Sequence, residues 1–264
     1  KNELIELLAY DIEKIENASL ELRNDKDIGK IALSEDPRLL GWLSSSLRDN
    51  ADFLLENLKI EYNAFGWWGH YNDEFLRLIS KRLRNDKDFI IKMIPLFPNL
   101  YSYISASLRK DKEIYLIADT RFLNKASLDL RRDFDLNLKK ITNKDSLYWV
   151  SKKLMSDKKF ILEALEAGAD PYWRDLKPHI RNDKEVIMKC LSNLCNEWRY
   201  CDVSYHELPR NLKTDLDVLE IIIKSGSEFS YLIPLNTFSK EAIPTLKKLD
   251  VPYLPLLKKS LLED

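Results

Sequence analysis

Four potential metal donors gather in one stretch of the chain: Cys190, Cys195, Cys201 and His206. Thiolate and imidazole together suit zinc, but the spacing C-x4-C-x5-C-x4-H lacks the tight pairs of structural zinc sites. Cys190 also falls on the apolar face of a helical pattern, where a free thiol packs as a small hydrophobe. No metal or other cofactor is therefore expected. General acid–base work needs an imidazole or carboxylate within reach of a reacting group. His70, His179 and His206 lie far apart in sequence, and none has a nucleophile arrangement beside it. No H-E-x-x-H, G-x-S-x-G, P-loop or dinucleotide glycine pattern is present. His70 is the first choice among the three, only because its surroundings are irregular. The expectation is a chain that is not an enzyme and has no catalytic residues.

Residues that recognise other molecules are better represented. One irregular segment carries Tyr62, Phe65, Trp67, Trp68, His70 and Tyr71, and a second carries Trp198, Arg199, Tyr200, Tyr205 and His206. Trp, Tyr and Arg are the usual anchors of protein interfaces. The candidate partner-binding residues are therefore Trp67, Trp68, His70, Tyr71, Trp198, Arg199, Tyr200 and His206. The competing reading is that these aromatics cover gaps in irregular packing, since large aromatics are mostly core or half-buried.

What must position these segments is a motif that returns along the chain. Leu-Arg-Asn-Asp-Lys-Asp occurs verbatim at Leu22–Asp27 and Leu83–Asp88, with close variants at Leu108–Glu113 and Ile180–Glu185 and looser ones at Leu47, Leu130, Leu154 and Leu212. Position four is Asp25, Asp86, Asp111, Asp133, Asp157, Asp183 or Asp215, with Asn50 in the remaining copy. Asp and Asn are the best helix N-caps, because a short acceptor satisfies the free amides of the first turn. Position six is acidic in every copy but one, where Lys159 stands, and the helix dipole favours negative charge there. Position seven is always apolar: Ile28, Phe53, Phe89, Ile114, Leu136, Phe160, Val186, Val218. An apolar face follows at helical spacing, so the motif starts a helix.

A second helix should lead into the next motif, with start signals at Asp36-Pro37, Pro98-Asn99 and Asp170-Pro171 and an apolar face such as Leu39, Leu40, Leu43, Leu47. Each copy thus reads as a helix–turn–helix. Copies recur every 22–26 residues, with two longer ones that contain the irregular segments. A degenerate copy is expected at Phe238, and the tail Lys258–Leu262 would begin another. The fold class expected is all-α: a single α-solenoid of about nine short helical repeats over 1–264, cut from or capped within a longer array.

Position two is basic in most copies (Arg23, Arg48, Arg84, Arg109, Arg131, Arg181, Lys213), and Met155 interrupts the row. The expectation is structural: each Arg meets C-terminal carbonyls and nearby acidic side chains. The alternative is a charged ridge that grips an acidic partner or a phosphate backbone.

This motif resembles that of the bacterial domain-of-unknown-function family 4116, whose members carry tandem copies close to Leu-Arg-Asn-Asp-Lys-Glu followed by an apolar helix. The resemblance covers nearly the whole chain and departs from it at residues 57–75, 192–211 and beyond about 236. It implies a helical repeat array in a bacterial protein, and no activity or cofactor.

Charge narrows the partners. Lys and Arg number 42 against 43 Asp and Glu, so the formal charge of −1 supplies no global field for nucleic acid or an anionic membrane. No apolar run approaches the ~20 residues of a membrane span. An odd, clustered set of three cysteines suggests a reducing, cytoplasmic compartment, and the N-terminal stretch shows no signal-peptide pattern. The functional expectation is a protein–protein interaction scaffold within a larger bacterial protein or complex. The alternatives are a nucleic-acid-binding solenoid, or the targeting or regulatory region of a toxin or effector delivered into a host cell.

Overall fold

The computed structural model describes residues 12–58, 74–141, 147–169, 173–196, 208–213 and 215–224. The expected copies at Phe238 and Lys258–Leu262 lie outside these residues. Every regular element among the described residues is helical, with no strand. None of these helices is long and apolar enough to cross a membrane.

The caps fall where the motif places them. Asp25, Asn50, Asp86, Asp111, Asp133, Asp157, Asp183 and Asp215 each accept from a first-turn amide, as Asp25 does from Asp27 N at 2.9 Å and Ile28 N at 3.2 Å. Capped in this way are the helices Lys26–Glu35, Ala51–Asn57, Lys87–Met93, Lys112–Ile117, Phe134–Lys140, Lys158–Glu166, Lys184–Asn196 and Leu216–Lys224. Most span only two or three turns, too short to persist alone in water, so burial of their apolar faces must hold them. The position-seven residues are all buried, and Ile28, Ile114, Phe160, Val186 and Val218 have no accessible surface at all.

The segment between one capped helix and the next motif departs from the expected second helix. It folds as two separate turns. Pro37–Gly41 and Pro98–Ser102 are 3-10 turns, the first capped by Asp36, and the motif leucines then sit in further single turns, Ser45–Arg48 and Leu108–Lys110. Leu39, Leu40, Leu43 and Leu47 are buried, as their spacing requires, but the chain is extended at Ser44 (φ −60°, ψ 155°). The break has a physical cause: the Ser44 N–H bonds outside its own segment, so it cannot continue a helical ladder.

The chain divides into two compact units, Lys1–Leu130 and Arg131–Asp264. In the first, the core is built from the capped helices and the leucine-bearing turns, including Leu40, Leu54, Leu76, Ile90, Leu100 and Tyr101. In the second, Phe160, Ile161, Trp149, Trp173, Ile180 and Ile187 fill the equivalent space. Gly168 closes the helix Lys158–Glu166 with φ 89°, a left-handed position that favours glycine, and Ala169 N then donates back to Ala164 O at 2.9 Å.

Candidate functional site

All eight residues proposed to bind a partner, Trp67, Trp68, His70 and Tyr71 together with Trp198, Arg199, Tyr200 and His206, lie outside the described residues. Of the candidate metal donors, Cys190 is buried on its helix, in keeping with a small hydrophobe. Cys201 and His206 lie outside the described residues. His179 is exposed, with Nε2 3.0 Å from the carbonyl of Ser156. What the structure does show at full detail is the motif itself, and its chemistry is that of a connector.

A serine three residues before the motif leucine carries the link. Ser44 donates its backbone N–H to the carbonyl of Arg23 in the previous copy, at 3.0 Å. The same bond runs from Ser80 to Arg48, from Ser105 to Arg84 and from Ser127 to Arg109, and in the second unit from Ser151 to Arg131. Each of these serines also caps its own motif turn: Ser44 Oγ accepts from Leu47 N at 3.2 Å, and Ser80, Ser105, Ser127 and Ser151 do the same for Leu83, Leu108, Leu130 and Leu154. Position three takes the hydroxyl proton. Ser44 Oγ donates to Asn24 Oδ1 at 2.6 Å; in the Ser105 copy the link passes through Ser107, whose Oγ lies 2.8 Å from Ser105 Oγ and donates to Asn85 Oδ1 at 2.9 Å; and Ser80 Oγ donates to the Asp49 carboxylate. That last bond, followed by the Arg82 guanidinium, holds Asp49 below the usual carboxylate range.

Position five supplies an ionic link. Lys87 Nζ lies 2.8 Å from Asp111 and 2.9 Å from Glu113, positions four and six of the next copy. Lys158 repeats this with Asp183 and Glu185, and Lys184 with Asp215 and Asp217, all at 2.7–2.9 Å. Burial opposes ionisation of Asp111, Asp183 and Asp215 and is the largest single influence on each. The lysine bonds and first-turn amides together outweigh it and hold all three carboxyls below their ordinary value. Lys87 and Lys184 are raised, first by the aspartate and then by the position-six acid, whereas for Lys158 the larger influence is Glu185. The one copy with lysine at position six follows the one with Phe134 at position five. There Lys159 Nζ sits 5.5 Å from the Phe134 ring centroid, and Phe160 packs edge-on to the same ring at 5.4 Å.

The arginines of position two behave differently from expectation. Arg84 meets carbonyls: its Nε donates to Ile79 O at 3.0 Å and a terminal nitrogen to Tyr103 O at 3.2 Å. Arg23, Arg48, Arg109 and Arg181 do not follow. Their Nε atoms are buried without an acceptor, and no ion pair joins them to a carboxylate among the described residues. For Arg109 and Arg181 the acid four residues later, Glu113 or Glu185, belongs instead to a position-five lysine of the preceding copy.

Neither the serines nor the lysines were among the residues singled out from sequence. The signal was present: Ser19, Ser44, Ser80, Ser105, Ser127 and Ser151 hold one fixed offset from the motif leucine, and lysine recurs at Lys26, Lys87, Lys112, Lys158 and Lys184.

These elements define an all-helical assembly of linked LRNDKD/E motifs. Residues 86–118, from the cap Asp86 through the capped helix Lys112–Ile117, match the family model described as Domain of unknown function (DUF4116), the family that the motif resembles. No curated protein and no solved structure matches the chain.

Two outcomes follow from this connector. Ser44→Ala removes one cap acceptor and one buried donor, so chemical denaturation should show a loss of about 1–3 kcal/mol. The depressed carboxyls contribute stability that is complete above their ordinary value and lost as pH falls below about 4, while the raised lysines contribute stability that is lost as pH rises past about 10.4. Thermal melts across pH should therefore decline at both ends, and Lys158→Met/Lys184→Met should flatten both declines.

Proposed function

We propose that the chain is a non-enzymatic protein-interaction scaffold: an α-solenoid of about nine short repeats that offers an extended surface to another protein. The observation that carries this reading is the serine-to-arginine backbone bond between successive copies. In the five joints that carry it, from Arg23 to Ser151, such a bond makes a copy's neighbour in sequence its neighbour in space, which is the rule of a quasi-one-dimensional array. Arrays of this kind present long binding surfaces, and period-breaking insertions map to loops on one face, often the binding face. On this reading the segments around Trp67–Tyr71 and Trp198–His206 are the partner anchors. The exposed Leu20, Trp42, Leu96, Leu116 and Tyr148 add apolar area on the described elements.

Small-angle scattering tests the architecture: a solenoid should give a radius of gyration clearly above the about 18 Å of a compact chain of this length. Crosslinking in extracts of the source organism tests the role. A discrete protein adduct that disappears in Trp67→Ala/Trp68→Ala is expected, and an adduct pattern untouched by that change would remove the aromatic segment from the surface.

A further inference from the structure

In the first unit, backbone bonds string the position-two arginines into a row: the carbonyls of Arg23, Arg48, Arg84 and Arg109 each receive a serine N–H of the next copy. Four residues, about one helical turn, separate each serine from the next arginine, and packed helices lie about 8–10 Å apart. The backbone bonds thus set one arginine per copy along the row, with the carbonyl-bonded Arg84 between Arg48 and Arg109.

Arg84 shows what a structural arginine looks like at this position, with both ends of its fork bonded to carbonyls. Arg23, Arg48 and Arg109 have the same placement and no such bonds. Each side chain is half-buried, with Nε sealed from solvent and unpartnered, while the terminal nitrogens stay accessible. A partly desolvated guanidinium with no acceptor is costly to leave unmatched, and a carboxylate is the group that fits its fork bidentately. Burial of the phenol raises the Tyr101 pKa, and the positive charge of Arg109 counters part of that rise, so this guanidinium acts on the protein interior as well as on solvent. The chain itself contains the apolar substitute for an arginine here: Met155 fills position two in the second unit and is buried.

We propose that Arg23, Arg48 and Arg109 form a carboxylate-binding row that takes an extended acidic segment of a partner protein. The proposal rests on the scaffold reading for the partner's class, but its site is separate from the aromatic segments. A nucleic-acid strand fits less well. Exposed Asp27, Asp52, Asp88 and Glu113 follow the arginines copy by copy and the chain has no net positive charge, so an unbroken line of phosphates would gain little and meet like charge. Discrete carboxylates at every third residue of a peptide in the extended polyproline II conformation, which has three residues per turn, fall on one face about 9 Å apart and match a spaced row.

The test uses the full chain and fluorescence anisotropy at low salt with a labelled Ser/Gly peptide carrying glutamate at every third position. Its glutamine counterpart and a labelled thymidine 20-mer are the comparison ligands. The glutamate peptide should bind and the glutamine peptide should not. Arg48→Met/Arg109→Met should weaken binding by about tenfold or more, since close interfacial charge pairs carry couplings of that order. That variant should melt with the parent, because the lost groups make no bonds in the folded chain, whereas Arg84→Met should lower the melting temperature and leave affinity within about threefold. Equal binding of both peptides, or unchanged affinity in Arg48→Met/Arg109→Met, overturns the proposal. So does tighter binding of the thymidine strand with the same loss in that variant, which would assign the row to nucleic acid. Trp67→Ala/Trp68→Ala should bind the glutamate peptide normally, so failure here and failure of the aromatic surface are separate results.

Discussion

A carbonyl at the end of a short helical turn has no partner within its own turn, and in this chain the next copy of the motif provides one. The bond from a serine N–H to the carbonyl of the preceding motif arginine closes two backbone groups that would otherwise be left unsatisfied near the core. It also sets register. Once Ser44 is bonded to Arg23, its hydroxyl falls within reach of Asn24, and Leu47, three residues on, is directed into the core. The buried leucines and the break in the second helix follow from where that one bond falls.

The ionic links act on top of this frame. Lys87, Lys158 and Lys184 are largely solvated, and pairs of that kind add little stability individually. Each lysine nevertheless engages both acids of a first turn whose cap already depends on one of them. The aspartate of position four therefore does two jobs, accepting helix amides with one oxygen and the neighbour's lysine with the other, as Asp111 does. Cap and connector are the same residue, which explains why the motif is conserved so closely within one chain, from Leu22–Asp27 to Leu83–Asp88.

Local chemistry was legible in the sequence and tertiary chemistry was not. Every cap from Asp25 to Asp215 could be assigned because an Asp before an apolar helical face has its reason within three residues. The helical spacing of Leu39, Leu40, Leu43 and Leu47 predicts a continuous second helix. The break at Ser44 comes from a partner twenty-one residues earlier, and no periodicity contains that. Sequence alone does not divide the acids between arginine and lysine, since both residue types offer a cation and only the geometry separates a fork facing carbonyls from an ammonium reaching across to the next copy. The aromatic candidates stood out by breaking the pattern, and for that same reason the motif says nothing of their placement.

The joint at Phe134 has a further meaning. A chain built from near-identical segments risks pairing the wrong ones as it folds, because many false neighbours offer the same groups. Phe134 with Lys159 and Phe160 replaces the common lysine-to-acid pairing by a ring with a cation above it. A standard copy brought against Lys159 would set lysine on lysine, and Phe134 against a standard copy would face carboxylates. The substitution therefore disfavours those two mispairings and sets this joint of the second unit apart from the lysine-closed ones.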